Sequence, residues 1–116
     1  MDIATVKSKN GVLIRLTEER WKHIVLLHPN LSDKQAKVLL TVKNPDFILK
    51  GLAKELLAVL KFSARVYIVV VYKETLFSSL RSKKKEFKPD GFIITAYDTT
   101  DVRWLFKKEL IWNKDS

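Results

Sequence analysis

The sequence predicts an α+β fold, two N-terminal helices packed on a roughly antiparallel sheet of four strands. Three observations predict it. Arg65–Lys73 is an unbroken run of β-formers with Val or Ile at five of its positions and no Gly, Pro, Asn or Asp. Such a run suits a central strand covered on both faces. Two stretches upstream, Glu18–His28 and Asp33–Lys43, carry apolar residues at helical spacing and end at Pro29 and at Asn44-Pro45, which is where helices stop. Downstream, apolar runs separated by turn residues read as a meander.

Taken in order, residues 1–11 form a short edge strand or lead-in closed by Asn10-Gly11, a turn dipeptide. Val12–Leu16 is a strand. Thr17 then caps a helix whose first turn holds Glu18 and Glu19, where carboxylates complement the helix dipole. Trp21, Ile24, Val25 and His28 share one face of it. Ser32 and Gln35 have the spacing of a capping box for the second helix. Asp46–Lys50 is a short strand ending at Gly51. For Leu56–Phe62 a strand is preferred over the helix that composition also allows, because a tight turn at Ser63-Ala64 pairs it with the central run as a hairpin. That turn sets Lys61 opposite Tyr67. Arg81–Lys88 reads as a solvated basic hairpin loop, and Pro89-Asp90-Gly91 as the turn launching the strand Phe92–Asp98. Asp101–Asn113 closes over the sheet as a last strand or short helix.

At 116 residues, 47% of them hydrophobic, the chain has the length of one domain, 1–116, with a core of its own. No apolar run reaches membrane-spanning length, and no signal peptide is visible after Met1. The absence of cysteine excludes disulfides and thiolate metal sites and fits a cytoplasmic setting. Twenty-two Lys and Arg against thirteen Asp and Glu give a net charge of +9, which favours a polyanionic partner, most often nucleic acid. Three glycines leave no Gly-rich phosphate loop and no nucleophile elbow. The carboxylates show no metal-ligand spacing, so neither metal nor cofactor is expected.

The hairpin pairing gathers one face with an apolar middle and a polar end of Lys61, Arg65, Tyr67, Thr95 and Tyr97, while the opposite face is apolar and meets the helices. A basic, hydroxyl-rich patch suits RNA cleavage by attack of the 2′-OH on the adjacent phosphorus. Cations neutralise the developing charge, hydroxyls hold phosphate or base, and a histidine moves protons. His23, on the polar side of the first helix, is the candidate acid or base. His28, on the apolar stripe, is a structural or capping residue. Taken singly, Thr95 and Tyr97 are ordinary strand residues. Tyr67, Lys73, Arg81, Lys83, Lys84, Lys85 and Lys88 are candidate RNA contacts.

Leu16–Ile24, His28-Pro29, Asn44-Pro45-Asp46, Tyr67–Glu74 and Asp90–Tyr97 resemble, in order and spacing, small stand-alone prokaryotic proteins of the phage-type branch of the barnase–EndoU–colicin–RelE-like (BECR) nuclease superfamily. The resemblance runs from about Leu13 to Trp112 and does not include the basic stretch Arg81–Lys88. It implies a BECR/RelE-like sheet of four antiparallel strands under N-terminal helices. It also implies a metal-independent endoribonuclease acting as the toxin of a toxin–antitoxin or polymorphic-toxin system on mRNA or tRNA. By position, His23, Lys61 or Arg65, and Thr95 carry the catalytic roles. The alternative reading is a non-catalytic basic module that binds RNA or docks onto an acidic protein such as an antitoxin.

Overall fold

The computed structural model describes residues 1–78 and 87–115, and the side chains of residues 1–75 and 90–115. The chain runs β1 (Asp2–Lys7), β2 (Leu13–Thr17), α1 (Glu18–Leu27), a 3-10 turn at Pro29–Leu31, α2 (Gln35–Lys43), β3 (Phe47–Lys50), β4 (Leu56–Lys61), β5 (Tyr67–Ser78), β6 (Phe87–Thr99), a second 3-10 turn at Leu105–Lys107, and β7 (Leu110–Asn113).

The two predicted helices are present, but the four-stranded antiparallel sheet is not. Among the described residues seven strands form one mixed sheet in the order β1-β2-β6-β5-β4-β3-β7, with β2 parallel to β6 and the other neighbours antiparallel. The strands outside the predicted meander join the same sheet at its two edges. The physical reason on one side is the alternation in β2. Ile14 and Leu16 are fully buried while Leu13 and Arg15 are exposed, so the strand needs a neighbour as well as a helix layer, and β6 supplies it through Leu13↔Asp90, Ile14↔Gly91 and Arg15↔Phe92.

That pairing also overturns the predicted turn at Pro89-Asp90-Gly91, which lies inside β6. A Cβ on Gly91 would come within 2.5 Å of the Lys73 carbonyl oxygen and of the Ile14 side chain. Glycine is there to let three strands approach, not to turn the chain. Near Gly91 the Arg15 guanidinium meets the Asp90 carboxylate.

Helix starts were half legible. Thr17 Oγ1 accepts the Arg20 backbone N–H at 3.2 Å, the expected cap. The capping box at Ser32 does not form. Pro29 opens a 3-10 turn, the Ser32 N–H bonds to the Pro29 carbonyl, and α2 begins two residues later than expected, at Gln35, with no side-chain cap.

Both faces of the sheet are covered. On the helix face, Ile14, Leu16, Ala58, Ile68, Val70, Tyr72, Ile93 and Ala96 pack against Ile24, Leu31, Val38 and Val42. On the far face, Leu49, Leu57, Val59 and Val69 pack against Leu105 from the second 3-10 turn. The face expected to carry the chemistry is thus core through its apolar middle. The hairpin register Lys61↔Tyr67 is as predicted. On β6 the expected pairing of Tyr97 with Tyr67 and of Thr95 with Val69 is displaced: Tyr97 faces Val69 and Thr95 faces Val71, and a bulge before Tyr72↔Ile93 turns Ile93 to the helix face. No helix among the described residues is long and apolar enough to cross a membrane.

Candidate nucleic-acid interface

Lys61 ends β4 beside the turn that the Phe62 and Ser63 N–H groups close onto the Val66 carbonyl at 2.8 and 3.1 Å. Arg65 stands exposed in that turn, and Tyr67 lies opposite Lys61. Thr99 follows on the other side of Tyr67, and Tyr97 sits two residues along β6. At about 4.8 Å between strands and roughly 3.3 Å per residue, the Cα atoms of Lys61 and Tyr97 are ~12 Å apart. One short stretch of RNA spans that distance. Thr95 shares the far face with them, opposite Val71. Lys73 shares it too but pairs with Phe92, roughly 20 Å along β5 from Tyr67, and is not part of the same cluster.

His23 is not brought to these residues. It is exposed on α1, whose Ile24 and Trp21 pack on the helix face, so the sheet separates it from Lys61 and Thr95. Arg81, Lys83, Lys84 and Lys85 lie outside the described residues, and Lys88 is described only as part of the β6 backbone.

The histidine that does reach the face is His28. β2 pairs β6 only over Asp90–Phe92, leaving the rest of that edge without a strand, and α1, which follows β2 directly, packs along it. His28 caps the helix C-terminus, its backbone N–H donating to the Ile24 carbonyl at 2.7 Å. Its ring lies 5.9 Å from the Tyr97 ring, tilted by 41°. On its other side Tyr97 stacks on Trp104 at 6.0 Å and 27°. Three rings thus run from the helix layer round the sheet edge onto the far face. Burial pushes the Tyr97 phenol up to about 12, so at neutral pH it is a protonated donor.

A basic cluster adjoins this row. Lys34 and Lys37 sit over the Phe62 ring at 5.8 and 6.0 Å, and Phe62 lies between Lys61 and Arg65 in the hairpin tip. Lys34 Nζ donates to the Asn30 carbonyl at 2.8 Å, and Asn30 Nδ2 donates to Asp98 Oδ2 at 2.8 Å, next to Tyr97. Asp46 anchors the hairpin from below, accepting the Lys61 backbone N–H at 2.7 Å and pairing with Lys114 at 2.8 Å. Burial works to raise the Asp46 pKa, but Lys114 and the Lys61 N–H together outweigh it and hold the carboxyl below its ordinary value.

Sequence reading singled out neither Trp104 nor Lys34, Lys37, Phe62 and Asn30 for this site. For His28 a signal existed, since its place on the apolar stripe meant that it would meet a strand. Among the described residues no three His, Asp or Glu side chains converge as a metal site. Comparison with protein-family models, curated proteins and solved structures finds no significant match for this chain.

Proposed function

We propose that this protein is a metal-independent, toxin-like endoribonuclease that acts on RNA through the end of the sheet where His28 meets Tyr97. The observation that carries the reading is that contact, set beside Lys34 and Lys37 over Phe62 and the exposed Lys61 and Arg65 of the same hairpin tip. The motif resemblance to the BECR nucleases favours cleavage over binding alone, although the seven-stranded sheet departs from the fold it implies.

The roles follow from chemistry. The His28 imidazole accepts the 2′-OH proton as the 2′-oxygen bonds to phosphorus. The P–O5′ bond breaks, the imidazolium returns a proton to the leaving 5′-oxygen, and a 2′,3′-cyclic phosphate and a 5′-OH remain. The Tyr97 phenol and Thr95 hydroxyl donate to phosphate oxygens, and Lys61 and Arg65 offset the charge that develops there. The substrates on this reading are mRNA or tRNA, which places the protein in the cytoplasm. An acidic antitoxin would compete for the same basic end.

A second reading has its own support. Leu57, Val59, Val69 and Leu105 fill the middle of the far face, leaving one histidine at one end, which suits an RNA-binding module without catalysis. Purified protein incubated with total RNA in EDTA separates the two. The nuclease reading expects cyclic-phosphate ends, lost by a factor of about 10²–10⁴ in His28→Ala, reduced in Tyr97→Phe and Lys61→Ala, and unchanged in His23→Ala. RNA retained but left intact under every condition supports the module and sinks the nuclease.

A further inference from the structure

The far face carries a feature that the proposed chemistry does not use. After β6 the chain crosses the sheet, held down by Leu105, which is fully buried against Leu49, Leu57, Val59 and Val69. This crossing sets Trp104 against Tyr97 and makes it part of the wall of a cleft of about 500 Å³. Lys50, Gly51, Lys107, Lys108 and Glu109 line that cleft together with Trp104.

Its charge is net positive and its acids are engaged. Glu109 lies 3.8 Å from Lys50. Glu55, the other carboxylate near Lys108, is held by the Ala53 backbone N–H and drawn into the turn after β3. Lys107 is exposed. A flat indole wall beside Lys107 and Lys108, with Lys50 shared with Glu109, is the pairing that single-stranded nucleic-acid sites use, with the ring stacking a base and the cations meeting the phosphate.

We infer that the cleft beyond Trp104 is a nucleotide subsite for single-stranded RNA, continuing the His28–Tyr97–Trp104 row away from the reacting end. It rests on the RNA-directed reading above and makes the bound strand cross the far face instead of ending at the hairpin tip. A stacked base at Trp104 fixes which phosphate lies beside His28, so the subsite positions the cut as well as adding affinity.

The test uses a 12-nucleotide RNA, 2′-O-methylated throughout so that it binds without being cut. The indole N–H signal of Trp104, assigned with Trp104→Phe, is expected to move on titration, while those of Trp21 and Trp112 stay put. Trp104→Leu should lose about 5- to 150-fold in affinity. A Lys107→Gln/Lys108→Gln double variant, which keeps the indole and the core, should lower the salt dependence of log K by about 1.4 for two lost phosphate contacts. Binding with signal changes confined to His28, Tyr97 and the hairpin tip, and an unaltered double variant, overturns the subsite and leaves the RNA reading standing. Lysine signals that move without the Trp104 indole overturn it too. No binding of the RNA at all removes both.

Discussion

Asn30 donates its side-chain amide to the Asp98 carboxylate at 2.8 Å, joining the link between the two helices to the last residues of β6 across 68 positions of sequence. The bond is exposed, so its worth is modest, about 0.5–1 kcal/mol. Its importance is positional. His28 lies two residues before Asn30 and Tyr97 one before Asp98, so the tie holds the two rings in contact. Asp98→Ala should lower the melting temperature by only a few degrees, and yet abolish the dipolar contacts between the His28 and Tyr97 rings in NMR spectra.

Gly91 should resist even the smallest substitution. In Gly91→Ala the new methyl group meets the Lys73 carbonyl, a backbone atom that cannot swing aside. Urea denaturation is expected to show a loss of about 1–3 kcal/mol. A neutral Gly91→Ala would mean that β2 and β5 do not close on β6 as tightly as described.

The opposite outcome is expected of Tyr72. Its ring is fully buried, and its hydroxyl finds no hydrogen-bond partner among the described residues. Removing an unsatisfied buried polar group recovers its desolvation cost. Tyr72→Phe should leave stability unchanged or raise it by about 1 kcal/mol, read from the same urea curves.

Two titrations bracket the stability profile from opposite sides. Tyr97 ionises at about 12 in the folded protein against 10.0 ordinarily, because burial disfavours the phenolate. The unfolded chain therefore releases this proton first, and the Tyr97 contribution to stability is intact below pH 10 and declines from there to about 12. Tyr97→Phe should flatten that decline in thermal melts.

Asp46 acts at the acid end. Its folded pKa is held below 3.8, so the stability it lends is present above the unfolded value and fades as the pH falls through the folded one. The gap between wild type and Asp46→Asn should close as the pH falls below the ordinary carboxylate range. A gap that stays constant would show that the Lys61 N–H and Lys114 do not depend on the charge.

The fold was legible where local chemistry decides it and hidden where a distant partner does. Thr17 and the Lys61↔Tyr67 hairpin were readable because the cap and the tight turn involve only near neighbours. The parallel union of β2 with β6 was not, since the alternation of Ile14 and Leu16 looks the same beside any strand. Pro89-Asp90-Gly91 misled because a glycine needed for close approach carries the same letters as one needed for a turn. The bulge near Ile94 moved Ile93 to the helix face, and a single inserted residue leaves no mark in a continuous apolar run. For the site, charge and residue type pointed to the hairpin tip and to Tyr97. They could not show that His28, and not His23, lies beside Tyr97, because that depends on α1 lying along the open edge of β6.

The parallel pairing also has a consequence in time. Arg15 and Asp90, which meet across it, are 75 positions apart. A ribosome adding roughly 5–20 residues per second leaves β2 without its neighbour for ~4–15 s. During that interval the edge of β2 that β6 will occupy keeps its backbone N–H and C=O groups unpaired, and an open edge of this kind invites the wrong neighbour. Closure of the sheet is thus scheduled by translation, and the last third of the message decides whether the first seventeen residues ever find their place.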